Sequence, residues 1–287
     1  LGKKDAADIG VPLAPLGELH GTAGLALLRR LGAEVRLGVK AAAVEVTGPA
    51  ETGGPRYRIR LARGEDSGAG DPDGAVGPGT IAADGVVIAT PAYTAAKLVP
   101  AAAGVPSGTW ADLGTSPIVN VHVIYDRRVT RLPFAAAVDS PVQWLFDRTE
   151  ISGFGASSRR GQYLAVSLSA AEPYVDVPAA QLREMFVPAL AGLLPGARDA
   201  RVSEFFVTRE RRATFRQGPG CGRLRPRAAT ALPGLALAGA WTDTGWPDTM
   251  EGAVRSGLNA AIELRRGIGG LGGSPALGAG LHAGAAA

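Results

Sequence analysis

The chain has 287 residues, 46% of them hydrophobic, enough for one large or two ordinary domains with real cores. Its formal charge of +4 comes from scattered arginines rather than a basic stripe interleaved with aromatics, which argues against a nucleic-acid partner. A single cysteine, Cys221, excludes an internal disulfide framework, and the histidines His20, His122 and His282 lie too far apart to pair as metal ligands.

No run approaches the length of a membrane span and no signal peptide is evident, so the expectation is a cytoplasmic protein. The chain opens on Leu1 rather than Met, and its first segment does not read as the entry into a fold. The expectation is therefore a processed or incomplete chain.

In chain order, residues 1–16 read as loop, punctuated by Pro12 and Pro15. A helix is predicted from about Gly17 to Leu31, with Gly32 ending it. Short strands follow at Glu34 to Leu37 and Ala42 to Val46, then Tyr57 to Leu61 (YRIRL), which alternates. The stretch from Arg63 to Gly79 is poor in apolar residues and reads as a mobile hairpin loop. A buried strand at Val86 to Ala89 stops at Pro91, and a helical turn spans Tyr93 to Leu98.

Composition changes near Pro100. The next block carries strands at Ile118 to Tyr125, Val142 to Phe146 and Leu164 to Leu168, a helix at Pro178 to Leu194 that Pro188 should kink, and a strand at Val202 to Thr208. This interleaving predicts a mixed α/β chain. One domain is built from residues 1–100 and 216–266, a second is inserted at 101–215, and 267–287 form a low-complexity, disordered tail.

The stretch Leu235 to Arg266 (LALAGAWTDTGWPDTMEGAVRSGLNAAIELRR) organises the rest. A short apolar run, Leu235 to Ala238, enters a Gly- and Thr-rich turn, Gly239 to Thr249. A helix follows, with Met250, Ala253, Val254, Gly257, Leu258, Ala261 and Ile262 on one face at helical spacing. Asp248 is placed to cap it, Glu251 completes a capping-box pattern and Gly267 marks the stop. A strand running through a glycine turn into a helix N-terminus suits an anionic or strongly accepting ligand, because free N–H groups and the positive dipole end converge there. An ordinary strand–loop–helix packing unit accounts for the same pattern.

Other motifs carry less. A GxGxxG string at Gly267 to Gly272 follows a helix, the reverse of the strand–turn–helix context a dinucleotide site needs. Gly153-Phe154-Gly155 reads as a turn, Ser157 to Arg160 as a solvated loop and Cys221 as a passive loop cysteine. No nucleophile elbow or metal pattern occurs. Trp144 and Phe146 alternate on one strand; they read as core, or as a face for a flat hydrophobic substrate.

The segment LALAGAWTDTGWPDTMEGAVRSG resembles the C-terminal flavin signature of the FAD-dependent amine oxidase and phytoene desaturase superfamily. Within it the likeness is closest to the squalene-associated FAD-dependent desaturases, the hydroxysqualene dehydroxylases of hopanoid pathways. The likeness continues through Val207 to Phe215 (VTRERRATF), Pro219-Gly220, Arg225-Pro226, Pro141 to Arg148 (PVQWLFDR), Ser116 to His122 (SPIVNVH) and Ala83 to Pro91 (ADGVVIATP).

The resemblance implies an incomplete Rossmann-type FAD-binding domain with an inserted substrate domain of mixed or antiparallel sheet plus helices. It implies FAD as cofactor and reductive removal of a hydroxyl from an apolar isoprenoid. Gly239, Ala240, Trp241 and Thr242 would approach the ribityl and pyrophosphate, the N–H groups of Thr249 and Met250 would face the flavin pyrimidine edge, and Ala41 would pass the adenine. Trp144, Phe146 and Trp246 would line the substrate tunnel.

No residue is singled out as a catalytic acid or base, since the cofactor carries such chemistry. A lipid substrate would favour peripheral contact with the inner membrane surface. Alternatives are a carotenoid-type desaturase, a flavin amine oxidase, or a non-catalytic remnant that binds an apolar ligand.

Three departures stand out. The family's strand–GxGxxG–helix is absent from the sequence. Ala240 stands where the family carries an acidic residue, and Asp248 where it carries a small one. A carboxylate capping the helix there would compete with the flavin for its donors.

Overall fold

The computed structural model describes residues 10–48, 56–62, 79–156 and 161–269. The chain divides into two compact units, Leu37–Gly114 with Phe215–Ala287, and Leu1–Arg36 with Thr115–Thr214.

The first of these holds two small sheets. β1 (Ala41–Val46), β2 (Tyr57–Leu61) and β3 (Thr80–Ala83) form an antiparallel ribbon in that order, with Ile59 opposite both Val44 and Ile81. Of the interruption between β2 and β3 that reads as a mobile loop, residues 63–78 lie outside the described residues. β4 (Val86–Ile88) pairs in parallel with a strand from the far end of the chain, Leu235–Leu237, which is buried at every position. That continuous apolar run is what a strand covered on both faces requires. α2 (Ala92–Leu98) starts directly after Pro91, whose fixed φ suits a helix entry. The core gathers Tyr57, Ile88, Ala95, Leu98, Trp110, Leu113, Leu235, Leu237 and Trp241. The Tyr57 hydroxyl is satisfied by donating to the Pro233 carbonyl at 2.7 Å.

The helix after this core strand runs from Met250 to Gly269, and the apolar face that its periodicity picks out is not the buried one. Its buried residues are Gly252, Ser256 and Ala260, whereas Met250, Val254, Leu258 and Ile262 are 49–62% exposed. Close backbone approach decides the orientation. A Cβ on Gly252 would sit 2.4 Å from the Pro247 carbonyl oxygen, and one on Gly267 would sit 2.1 Å from the Gly234 nitrogen. Gly267 is therefore a contact residue inside the helix and not its stop. Of the expected tail, residues 267–269 are helical and 270–287 lie outside the described residues.

The second unit is built on a five-stranded, wholly antiparallel sheet. Its strands are β5 (Ser116–Tyr125), β6 (Phe134–Ala136), β7 (Trp144–Asp147), β8 (Gln162–Leu168) and β9 (Val202–Thr214), in the order β6-β7-β8-β5-β9. The core strand Leu235–Leu237 of the first unit is thus β10. One face carries Val119, Val121, Val123, Leu145, Leu164, Val166 and Leu168. It packs with Leu182, Phe186 and Leu190 of α3 (Ala179–Leu193). α3 continues through Pro188, where a kink was expected. Pro188 and Glu184, whose carbonyl loses its helical partner, are both exposed, so water can serve that carbonyl.

Gln162, 1% exposed, is fully used: Oε1 accepts from the Val129 and Thr130 N–H groups, and Nε2 donates to the Thr130 carbonyl and to Asp147. Near the start of the chain the expected helix is a π-helical run, Gly17–Thr22, continuing as α1 (Ala23–Arg30). The helix Met250–Gly269 is α4. The strand expected at Glu34 to Leu37 does not form. β3 and β6 were not anticipated, and both are edge strands of four residues or fewer with no alternation to betray them.

Candidate functional site

β4 and β10 run parallel, so their C-terminal ends reach the same place, the position where open α/β sheets bind ligands. The loop from Gly239 to Thr249 leaves from there. Gly239 has φ 141°, and a Cβ on it would meet the Trp241 indole nitrogen at 2.3 Å. Glycine is thus required for the indole to fold back against the chain. The indole is 5% exposed, donates to the Thr90 carbonyl at 2.9 Å and packs on Trp110 with centroids 4.8 Å apart. Thr242 is buried and its hydroxyl donates to the Gly239 carbonyl at 2.9 Å. The side chains of Trp241 and Thr242 are therefore engaged within the protein, and what they offer a ligand is the backbone they fix.

Arg225 organises this loop, and sequence reasoning missed it. Its guanidinium donates to the carbonyls of Ala240, Trp241 and Thr242 and to the Thr244 hydroxyl, and lies 5.3 Å over the Phe215 ring. Such a fan of charge-assisted bonds to consecutive carbonyls is work only arginine's fork can do. The signal was present as the Arg225-Pro226 pair, but no spacing rule tied it to residues fifteen positions on.

The helix cap differs from expectation. Thr249, not Asp248, caps α4: its hydroxyl accepts from the Gly252 N–H at 3.2 Å, and its carbonyl accepts from Ala253 at 3.0 Å. Asp248 stands one residue too early and turns away, accepting from the Phe215 N–H at 3.0 Å. Burial raises the pKa of its carboxyl, opposed by the Phe215 N–H and by Arg225. The carboxylate thus does not compete for the helix donors. Among the described residues nothing accepts from the N–H groups of Met250 and Glu251, and the buried Thr90 hydroxyl also lacks a partner.

Unpaired donors at a helix N-terminus fit a ring edge rich in acceptors, as a flavin pyrimidine edge is. Met250 itself is 59% exposed. Ala240 contributes its carbonyl to Arg225. Ala41 opens β1 opposite Leu61 and packs on the core of its unit. Trp246 is 43% exposed beneath the Arg255 guanidinium at 4.5 Å.

In the five-stranded sheet, the face opposite the aliphatic core is aromatic. Phe134, Trp144, Phe146, Tyr163 and Phe206 alternate with core positions on four strands. Trp144 and Phe146 stack with centroids 6.2 Å apart, and Trp144 lies 6.4 Å from Phe134. Trp144 and Phe206 are 39% and 40% exposed, so this face is not core. His122 sits among these rings, with its pKa lowered to about 4 by burial first and the Arg148 charge second. His122, Tyr163 and Phe206 escaped the sequence reading because their proximity depends on strand register, which the sequence does not announce.

Among the described residues there is no group of three or more His, Cys, Asp or Glu that could hold a metal, and no helix long and apolar enough to cross a membrane. One unit thus carries a parallel strand pair ending at a donor-rich helix N-terminus, as a cofactor-binding α/β domain does, and the other an antiparallel sheet with a helix. The chain belongs to the flavin-containing amine oxidoreductase family, which it matches over residues 22–264. That family is described as flavin-containing, and FAD is the cofactor it implies.

The chain is 36% identical over 147 residues to hydroxysqualene dehydroxylase of Rhodopseudomonas palustris, a match covering 50% of this chain and 31% of that protein. It is 29% identical over 101 residues to zeta-carotene desaturase of Synechocystis, covering 35% of this chain and 21% of the relative. An oxidoreductase from Methanosarcina mazei shares the fold with a TM-score of 0.59 and 14% identity, over 84% of this chain and 53% of the other. The matched region is thus about a third or less of the curated relatives and about half of the solved structure.

Proposed function

We propose that this chain serves an FAD-dependent enzyme that removes a hydroxyl reductively from a C30 isoprenoid alcohol, as a hydroxysqualene dehydroxylase would. The observation that carries this reading is the aromatic, half-exposed sheet face of Phe134, Trp144, Phe146 and Phe206, found in a chain whose sequence follows that of a hydroxysqualene dehydroxylase over half its length. The rings of such a face offer a long polyene broad apolar contact.

When bound and reduced, FAD supplies the hydride that takes the place of the departing hydroxyl; a proton completes the water released. The protein's part is orientation and exclusion of water. The α4 N-terminus would meet the flavin's pyrimidine edge, where its dipole favours negative charge. Arg225 holds the loop that sets this edge.

The test is a single anaerobic turnover by the gene product, loaded with FAD and chemically reduced, on hydroxysqualene. Squalene formed in step with flavin reoxidation is the expected result. Recovery of unchanged hydroxysqualene from a flavin-loaded protein would overturn the reading. The similarity to zeta-carotene desaturase gives the rival: oxidised flavin with a carotene substrate would then introduce a double bond.

A further inference from the structure

One polar cluster interrupts the aromatic face. His122 Nδ1 lies 2.8 Å from the Tyr163 hydroxyl, and Nε2 lies 3.0 Å from the Thr208 hydroxyl. The imidazole stacks on Phe206 with centroids 4.4 Å apart and planes within 13°. These residues come from three adjacent strands, and the ladder fixes them, with His122 opposite both Ala165 and Phe206. The ring is neutral at ordinary pH, because burial and the Arg148 charge disfavour the imidazolium.

Counting protons shows what the cluster can do. A neutral imidazole carries one N–H, and the two hydroxyls carry one proton each. Three protons serve two internal hydrogen bonds, so one O–H is always left over. With the proton on Nδ1, the ring donates to Tyr163, Thr208 donates to Nε2, and the Tyr163 proton is spare. With the proton on Nε2, the spare proton belongs to Thr208. Among the described residues, no other group takes it up. Phe206 covers one face of the imidazole, and Asn120 stands opposite Thr208 in the ladder.

The geometry points to His122, Tyr163 and Thr208 as a hydroxyl-selective anchor, donating a single hydrogen bond to the oxygen of an otherwise apolar alcohol laid on this face. This rests on the reading of the face as an isoprenoid-binding surface, and it names the group that surface selects. An apolar molecule without an oxygen would strip water from the spare donor and leave it unpaired, a cost the alcohol avoids. The anchor therefore discriminates an alcohol from its deoxygenated product and favours release of the product.

The test compares binding of farnesol and of a matching C15 hydrocarbon to the full chain in mild detergent. The readout is the part of the tryptophan fluorescence response lost in Trp144→Phe. Farnesol should bind about tenfold more tightly, the scale of one hydrogen bond. Tyr163→Phe and Thr208→Val should each keep that preference, because the tautomer shifts to leave the remaining hydroxyl proton spare. Only with the ring removed as well, in a triple variant adding His122→Phe so that no unpaired imidazole N–H remains, should it be lost, both ligands then binding within about twofold while hydrocarbon affinity is kept. This non-additive pattern is not what a merely structural role would give.

A second readout uses the unaltered chain. The His122 ring nitrogen resonances should move with farnesol and not with the hydrocarbon. A triple variant that keeps the preference, or ring signals of the unaltered chain indifferent to farnesol while it binds, overturns the anchor and leaves the apolar face standing. Binding of neither ligand overturns the apolar-face reading itself.

Discussion

His122 is the residue whose environment departs furthest from its sequence context. Its pKa falls from 6.5 to about 4, from burial first and Arg148 second, so the folded state binds fewer protons than the unfolded one between those values. Its contribution to stability is therefore complete above pH 6.5, declines as pH falls, and is gone near pH 4. Allowing for partial exposure, that window holds about 1–3 kcal/mol. Guanidinium unfolding of the chain and of His122→Phe between neutral pH and pH 4 should diverge by this amount, the unaltered chain losing more; parallel pH profiles would contradict the environment described.

Single residues were also where the sequence was least legible. His122 was weighed only as a metal ligand, and its partners Tyr163 and Thr208 lie 41 and 86 positions away. Asp248 was legible as a helix-start residue by type, but whether it or Thr249 took the cap was decided by the Phe215 N–H arriving from another element.

At the scale of elements the sequence was more forthcoming, because hydrophobic runs and alternation report strands directly. β1, β2, β5, β8 and β10 fall within a few residues of their predicted bounds. α4 shows the limit. Its 3.6-residue periodicity was legible, yet the apolar stripe faces out, since periodicity cannot say whether a helix is held by apolar bulk or by small residues against backbone. Gly252, Ser256 and Ala260 form the contact, and Ser256 links it to the loop by accepting from the Gly239 N–H at 2.8 Å. Leu258→Gln on the exposed stripe should change stability by no more than about 0.5 kcal/mol. Gly252→Ala should cost about 1–3 kcal/mol, because its Cβ meets the Pro247 carbonyl oxygen at 2.4 Å. Thermal unfolding of both variants checks the assignment, and the reverse order would place the apolar stripe, not the small residues, at the contact.

For the whole molecule, class and cofactor followed from one motif, whereas the chemistry it presents had to come from geometry. The described residues supply the strand pair β4–β10, the Arg225-held loop and the unpaired donors at the start of α4. Among them there is no strand–GxGxxG–helix unit to cradle a pyrophosphate, which is where dinucleotide affinity concentrates. Under the proposed function, the described residues would carry the ring-facing part of a flavin site and not the phosphate-holding part. The direct measurement is flavin absorbance per chain after the 287-residue protein has been equilibrated with excess FAD and desalted. Little or no retained flavin is predicted; a yellow protein holding FAD stoichiometrically would contradict it.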